Sequence, residues 1–391
     1  MSRVSIARCE TYDPDLIRGA LDDALLRFGG MGAFVNPGMR VLLKVNLLSK
    51  ATPDRAVTTH PEVVRALIRS VREAGGVPFV GDSPGGPNTA ALVSAIHRES
   101  GLADVCTDEE VDLVLFDDDC CRAPAPGGEL FPTFTLGRAV VEADAIISVP
   151  KFKTHGFMQF TGAVKNLFGC IPGLEKAQYH LKVPDRDDFG SMLVDLMLAV
   201  RPALAVMDAI VGMEGEGPAG GTPRQIGALL ASPDSVALDV IAASMAGFDP
   251  MEVYTNRAAA RRRLGPSSVD EVDCSGADWR ELAPEGFALP ARDLSSKVPR
   301  WLSKRARHWT TARPYLERGS GCTDCGTCET SCPVQAITRP SDTPVFDYHT
   351  CIRCYCCQEL CPPQVIGLKM PAGARVMTRR SRRSMARRTD S

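Results

Sequence analysis

Two cysteine segments constrain this chain more than any other feature: "CTDCGTCETSCPVQAI" at 322–337 and "CIRCYCCQELCPPQVI" at 351–366. Both fit C-x2-C-x2-C-x3-C-P, and both continue as Pro-x-Gln-x-Ile. A lone C-x2-C is compatible with zinc, but zinc asks for four ligands and not for three cysteines at this close spacing. The spacing suits a cubane. Backbone wraps one corner, three thiolates reach three irons, and the fourth cysteine, turned away by its proline, reaches the other cluster. Two complete copies therefore predict two 4Fe–4S clusters. Cys322, Cys325, Cys328 and Cys361 make one ligand set; Cys351, Cys354, Cys357 and Cys332 make the second. Cys356 falls outside the register and is the spare, expected to pack as a small hydrophobe beside the cluster. Ligand exchange with Cys357 is the alternative.

The start, "MSRVSIARCE", shows no hydrophobic leader, and the chain has 15 cysteines. That combination points to metal ligation in a reducing cytoplasm, not to disulfides. The most apolar stretch, "MLVDLMLAVRPALAVMDAIV", is broken by Asp195, Arg201 and Asp208, so no membrane span is expected. With 391 residues, 44% of them hydrophobic, two or three domains and a large core are expected. The charge is divided unevenly. Residues 297–391 carry 17 Lys+Arg and 7 Asp+Glu, against 28 and 40 in the remainder. Two cysteinyl clusters would bring about −4 to the basic part, so its charge does not require nucleic acid.

Upstream of the cysteines, strands alternate with helices. "RVLLKVNLL" is a buried strand by its apolar run. "THPEVVRALIRSVREAGG" follows as a helix, with Thr59 and Glu62 as a capping box and Pro61 in the first turn. "VPFVGDSPGG" is a strand ending at Asp82, "NTAALVSAIHRESG" a helix, and "VDLVLFDD" and "ADAIISVPK" are strands. A helix at 187–200, the strands "PALAVMDAIV" and "IGALLAS", and a helix opened by Ser232-Pro233 complete the pattern. The fold class is α/β: a large domain with a mostly parallel sheet over 1–290, then an amphipathic linker at 291–318. A small ferredoxin-like α+β iron–sulfur domain follows at 319–370, with a basic tail at 371–391.

Ligands of such sheets sit beyond the carboxyl ends of strands. Lys44, Asn46, Asp82, Ser83, Lys151, Lys153, His155, Asp208, Glu214 and Glu216 all fall there. Lys151, Lys153 and His155 leave one strand together, Lys165 and Asn166 lie on the next helix, and His180 comes later. Three lysines and a histidine near a helix N-terminus suit a carboxylate or phosphate, and could also carry protons. "GEGPAG" at 215–220 formally matches a dinucleotide motif, but Pro218 and Pro223 interrupt it and a strand follows, so it reads as a glycine-rich turn. No flavin or nicotinamide site is recognised.

The blocks "KVNLL", "GDSPGG", "PKFKTH", "TGAVKNLFG" and "IPG" resemble the family catalogued as domain of unknown function 362, over about residues 38–370. The cysteine segments resemble bacterial-type ferredoxins, which implies one-electron transfer. More distantly, "KTHGFMQFTGAVKNLFGCIPG" looks like a segment of nickel-pincer lactate racemases. By that comparison His155 matches a histidine, Lys165 a cofactor-tethering lysine and His180 a later histidine. The likeness implies a shared fold and pocket location, not the nickel cofactor, since another histidine of that family has no counterpart here.

Between the domains, Val298, Trp301, Leu302, Arg305, Ala306 and Trp309 recur at helical spacing, as a docking stripe or a membrane-surface helix. The arginine-rich tail is expected to be solvated or to meet an acidic surface. The leading reading is an iron–sulfur oxidoreductase passing electrons to an anionic or conjugated small substrate, supplied by an external ferredoxin or flavodoxin. Lys151, Lys153, His155 and Lys165 would bind and protonate that substrate, with Asn46 and Asn166 beside it. Asp82, Asp208, Glu214 and Glu216 would be acids or metal ligands. An electron carrier docking to a separate protein partner, and racemase-like proton chemistry with structural clusters, are the alternatives. Anaerobically purified protein should contain about eight irons and eight sulfides per chain. Four irons, or zinc in their place, would contradict the double ligand set.

Overall fold

The computed structural model describes residues 1–86, 88–290, 310–317 and 321–371. The aromatic stripe of the linker and the arginine tail lie outside the described residues. Strands β1 (Ser2–Arg8), β2 (Arg40–Lys44), β3 (Val77–Asp82) and β4 (Leu113–Leu115) come first, then a hairpin of β5 (Cys120–Pro124) and β6 (Thr133–Gly137). They are followed by β7 (Ala145–Ser148), β8 (Lys151–His155), β9 (Gln159–Phe160), β10 (Leu204–Glu214), β11 (Thr222–Ser232) and β12 (Val272–Gly276).

The large sheet runs in the order β12-β1-β11-β10-β7-β2-β3-β4, with β8 joining β10 and β9 joining β8. Most pairs are parallel; β11 against its two neighbours, and β9 against β8, are antiparallel. Alternation along β2 explains why the sheet needs helices on both faces. Val41 and Leu43 meet the helices Pro14–Leu26 and Pro61–Glu73, whereas Leu42 meets the helix Arg186–Val200. The helix Ser235–Met245 covers the far part of that second face through Leu238 and Ile241.

Local signals differ from the sequence reading at two caps. His60, not Thr59, caps the helix Pro61–Glu73, its side chain accepting from the Glu62 N–H. Thr59 instead accepts from the Asn46 N–H and donates to the Val149 carbonyl, tying together the chain ends that leave β2 and β7. The helix after β11 is capped by Asp234 rather than Ser232. "GEGPAG" is the connection between antiparallel β10 and β11, not the start of a helix.

In the small domain both cysteine segments take the same backbone path. Left-handed residues recur at Asp324 and Arg353, at Gly326 and Tyr355, and at Gln335 and Gln364, each pair one repeat apart. Short helices Thr327–Thr330 and Cys356–Glu359 follow in equivalent places. Arg313–Leu316, within the stretch read as linker, pairs with Ile366–Lys369 and so belongs to this domain.

Asp195, one of the charges that interrupts the apolar stretch, is fully buried. It accepts from the N–H groups of Glu129, Leu130 and Phe131 and pairs with Arg262 at 2.7 Å. Asp195→Ala should cost about 3–5 kcal/mol, because it removes the buried carboxylate partner of Arg262 and leaves three amides without their acceptor. A loss below about 1 kcal/mol in urea unfolding would contradict this account.

Candidate active site between the two domains

A cavity of about 170 Å³ opens where β2, β3 and β8 end, and the small domain closes it. Asn46, Asp82, Lys153, His155, Lys165 and Asn166 line it, as the strand-end rule predicts. Lys151, Asp208, Glu214 and Glu216 do not. A register shift between β8 and β10 explains the split. Lys151 faces Asp208, but Lys153 faces Met213. The Lys151 ammonium therefore bonds Asp208 (2.7 Å) and Tyr12 (2.8 Å) inside the fold, with the His60 N–H also on Asp208. Glu214 accepts from the Ala288 N–H, and Glu216 offers its backbone carbonyl to Gln358. Among the described residues no three His, Cys, Asp or Glu side chains converge on a single metal ion.

The polar wall at the ends of β2 and β3 is tightly bonded. Asp82 pairs with Lys44 at 3.0 Å and accepts from the N–H groups of Leu47 and Ser83. Asn166 donates to the Lys44 carbonyl and to Ser148, and accepts from the Asn46 amide at 3.1 Å. A Cβ on Gly169 would overlap the Asp82 carboxylate and the Lys44 ammonium, so glycine is required there. Asp239 accepts from the N–H groups of Ala163 and Val164 and thereby holds the first turn of Ala163–Asn166, which presents Lys165.

Lys153, Lys165 and Lys176 line this space and Lys44 pairs with the lining Asp82; all but Lys165 are capped. Lys44 donates to the Val45 carbonyl, Lys153 to that of Val57, and Lys176 to Ser83 and Pro84 carbonyls. Lys165 has no hydrogen-bond acceptor among the described residues; its ammonium lies 4.6 Å from the Phe168 ring centroid. Burial pushes Lys153 and Lys176 down to about 7, and pushes Lys165 down as well. His155 accepts from the N–H groups of Phe157 and Met158 at Nδ1, which leaves its proton on Nε2, 3.4 Å from Glu359. Burial, then the nearby lysines, keeps His155 neutral. His180 is held down to about 3 by burial and Lys165.

The small domain contributes what sequence reasoning missed. Thr330 and Ser331 of the first segment, and Glu359 and Leu360 at the equivalent places of the second, all line the cavity. So does Cys356. The spare cysteine therefore faces the site, and does not simply fill space beside a cluster. Burial raises the Glu359 carboxyl to about 7 against the pull of Lys165 and Lys153. The seating is held by Gln358 on the Glu216 carbonyl (3.0 Å) and by Arg186 on the Tyr355 hydroxyl (3.3 Å). One signal was available: an acid and an extra thiol inside the second segment, where the first has threonines.

The cysteines fit iron–sulfur cubanes. A separate void of about 20 Å³ is lined by Cys322, Cys325, Cys328 and Cys361. Burial raises the Cys332 thiol, opposed by hydrogen bonds from the Ala336 and Val334 N–H groups.

An α/β domain closed by a cysteine-rich module defines a class, and comparison with known proteins identifies it. A family model described as Domain of unknown function (DUF362) matches residues 41–244, and one described as 4Fe-4S dicluster domain matches residues 315–362. Over 309 residues the chain is 36% identical to thylakoid-associated protein sll1697 of Synechocystis sp., covering 78% of this chain and 94% of that protein. The chain belongs to the DUF362 family, and its 4Fe-4S domain supports an iron–sulfur electron-transfer role. The lactate racemase apoprotein of Thermoanaerobacterium thermosaccharolyticum has 14% sequence identity and a TM-score of 0.36, over 60% of this chain and about half (55%) of its own. Among the described residues no helix is long and apolar enough to cross a membrane.

Lys151→Met should lower stability by about 3–5 kcal/mol through the stranded Asp208 carboxylate, yet leave the cavity intact. Unchanged unfolding would show that the buried pair is not structural.

Proposed function

We propose that this protein is an iron–sulfur reductase whose two 4Fe–4S clusters serve a small organic anion bound between the domains. The observation that carries this reading is that Cys356 and Glu359, on either side of Cys357, line the same cavity as Lys153, His155 and Lys165. Cys322, Cys325, Cys328 and Cys361 would hold one cluster, and Cys351, Cys354, Cys357 and Cys332 the other. Cys322 and Cys325 are exposed whereas Cys354 and Cys357 are buried, so electrons from an external ferredoxin or flavodoxin would arrive at the first set and leave by the second. The clusters, when bound, supply electrons one at a time.

The chain's own residues supply the rest. Lys165, the uncapped cation, meets negative charge as it develops on the substrate, in a space where water does not screen it. His155 carries a proton on Nε2, held there by two backbone N–H groups on Nδ1, and Glu359 lies 3.4 Å from that edge of the ring. Asn46, Asn166 and Asp82 fix the opposite wall.

Two measurements test this. Cys357→Ala should lose or degrade one cluster while Cys356→Ala keeps both; the reverse result would overturn the ligand register. Next, dithionite-reduced protein is mixed with a panel of unsaturated and oxo acids, and cluster reoxidation is followed by absorbance. His155→Ala and Lys165→Ala should retain both clusters and their reduction, but slow reoxidation about 10²–10⁴-fold. Glu359→Gln should slow it less and shift its pH profile. Variants that match the parent protein with every acceptor would leave an electron carrier without a catalytic cavity.

A further inference from the structure

Polar groups without partners converge on the cavity from both domains. Thr161 Oγ1, His180 Nδ1 and Ser331 Oγ are buried, line the space and have no hydrogen-bond partner. Asn46 Oδ1 is in the same condition. The orientation of Asn46 is fixed by its neighbour: its amide nitrogen donates to Asn166 Oδ1, and Asn166 spends its own nitrogen on the Lys44 carbonyl and Ser148. The Asn46 oxygen is thus left as an acceptor. Such orphans are rare in folded proteins and costly unless something meets them.

We propose that the cavity's ligand is a small monocarboxylic acid that also carries an O–H or N–H donor, bound by both domains at once. The inference rests on the reductase reading only in taking this ligand to be the reducible substrate. Its charge follows from the lysines. Lys44, Lys153 and Lys176 are spent on carbonyls and Asp82, so Lys165 is the cation left for an anion. Thr161 and Ser331 hydroxyls add donors that suit the same oxygens. The need for a ligand donor follows from Asn46 Oδ1. The His180 imidazole stacks on Phe189 at 4.5 Å, with Phe157 and Phe168 at its edges, so it stays neutral and its Nδ1 can meet the ligand either as a lone pair or as an N–H. The body of the ligand is hydrocarbon, to match the apolar side chains of Leu47, Leu48, Phe168 and Leu360 in the lining. About 170 Å³ gives room for roughly ten water-sized groups.

Binding to the anaerobic holoprotein is measured calorimetrically with matched triplets. One is 4-aminobenzoate, benzoate and methyl 4-aminobenzoate; another is 6-hydroxyhexanoate, hexanoate and methyl 6-hydroxyhexanoate. At least one donor-bearing acid should bind about tenfold tighter than its donor-free parent, and about tenfold tighter than its ester. Asn46→Ala should abolish the first preference and Lys165→Met the second. Equal binding within every triplet, or no binding by any member, would overturn the proposal and leave a water-filled cavity. No electron moves in this experiment. A full panel of unsaturated and oxo acids with the same donor, binding as expected but never reoxidising reduced clusters, would end the reductase reading alone.

Discussion

Three ammonium groups, those of Lys153, Lys165 and Lys176, line one poorly solvated cavity, a fourth, Lys44, is paired with its Asp82, and the rest of the architecture depends on how their charge is compensated. Unpaired, each would cost several kcal/mol. Lys44 is answered by Asp82 at 3.0 Å, and Lys153 and Lys176 by backbone carbonyls. Lys165, with no hydrogen-bond acceptor among the described residues, has the Phe168 ring and the field of Glu359, with smaller contributions from Cys356 and Asp82. The large domain by itself therefore presents more positive than negative charge at the ends of its strands. The second cysteine segment brings a carboxylate to that place, and a loaded cubane with its thiolates adds further negative charge. Docking of the small domain is thus an electrostatic completion of the site as well as a hydrophobic contact.

The internal repeat of the small domain makes that docking specific. Thr330 and Ser331 correspond to Glu359 and Leu360, and all four line the cavity, so the same turn of each half faces the large domain. The halves have diverged where they touch it. Leu360 lies against Gly85 and Gly86, where a Cβ on Gly85 would come within 2.7 Å of its side chain. The glycines of "GDSPGG" leave room for the partner domain's leucine. Arg186 does similar service from the other side, stacked between Phe157 and Tyr355.

Much of this was legible in the sequence, and the failures share a cause. The cysteine register, the alternation of strands and helices, and the gathering of Asn46, Asp82, Lys153, His155, Lys165 and Asn166 follow from local pattern plus the strand-end rule. Lys151 and Asp208 were misplaced because period-two alternation puts Lys151 beside Lys153, whereas the register shift against β10 turns their ammoniums to different surroundings. Lys176, Ser331, Cys356 and Glu359 lie in the cavity without a periodic signal for it. Lys176 is brought there by Ser83 and Pro84 of its own domain; the position of the other three depends on how two domains meet, which no periodicity within either segment encodes. The exchange of His60 for Thr59 as a helix cap is a smaller instance: Thr59 was taken by the contact between β2 and β7.

The placement of the thiols also bears on where an electron would rest. Burial disfavours added negative charge, so in the proposed ligand sets it would pull the potential of the one containing Cys354 and Cys357 below that of the one with exposed Cys322 and Cys325. On burial alone, an electron would stay near the surface, away from the cavity. Lys153 and Lys165 act against this, because a cation in a low-dielectric space stabilises nearby negative charge more strongly than it would in water. Glu359 moderates them, since as a carboxylate it cancels part of their field. A ligand anion on Lys165 would neutralise the same cation and weaken its hold on a reduced cluster. The electron would then be held tightly while the cavity is empty and less tightly once an acceptor is bound, which favours its transfer to that acceptor over loss to solvent.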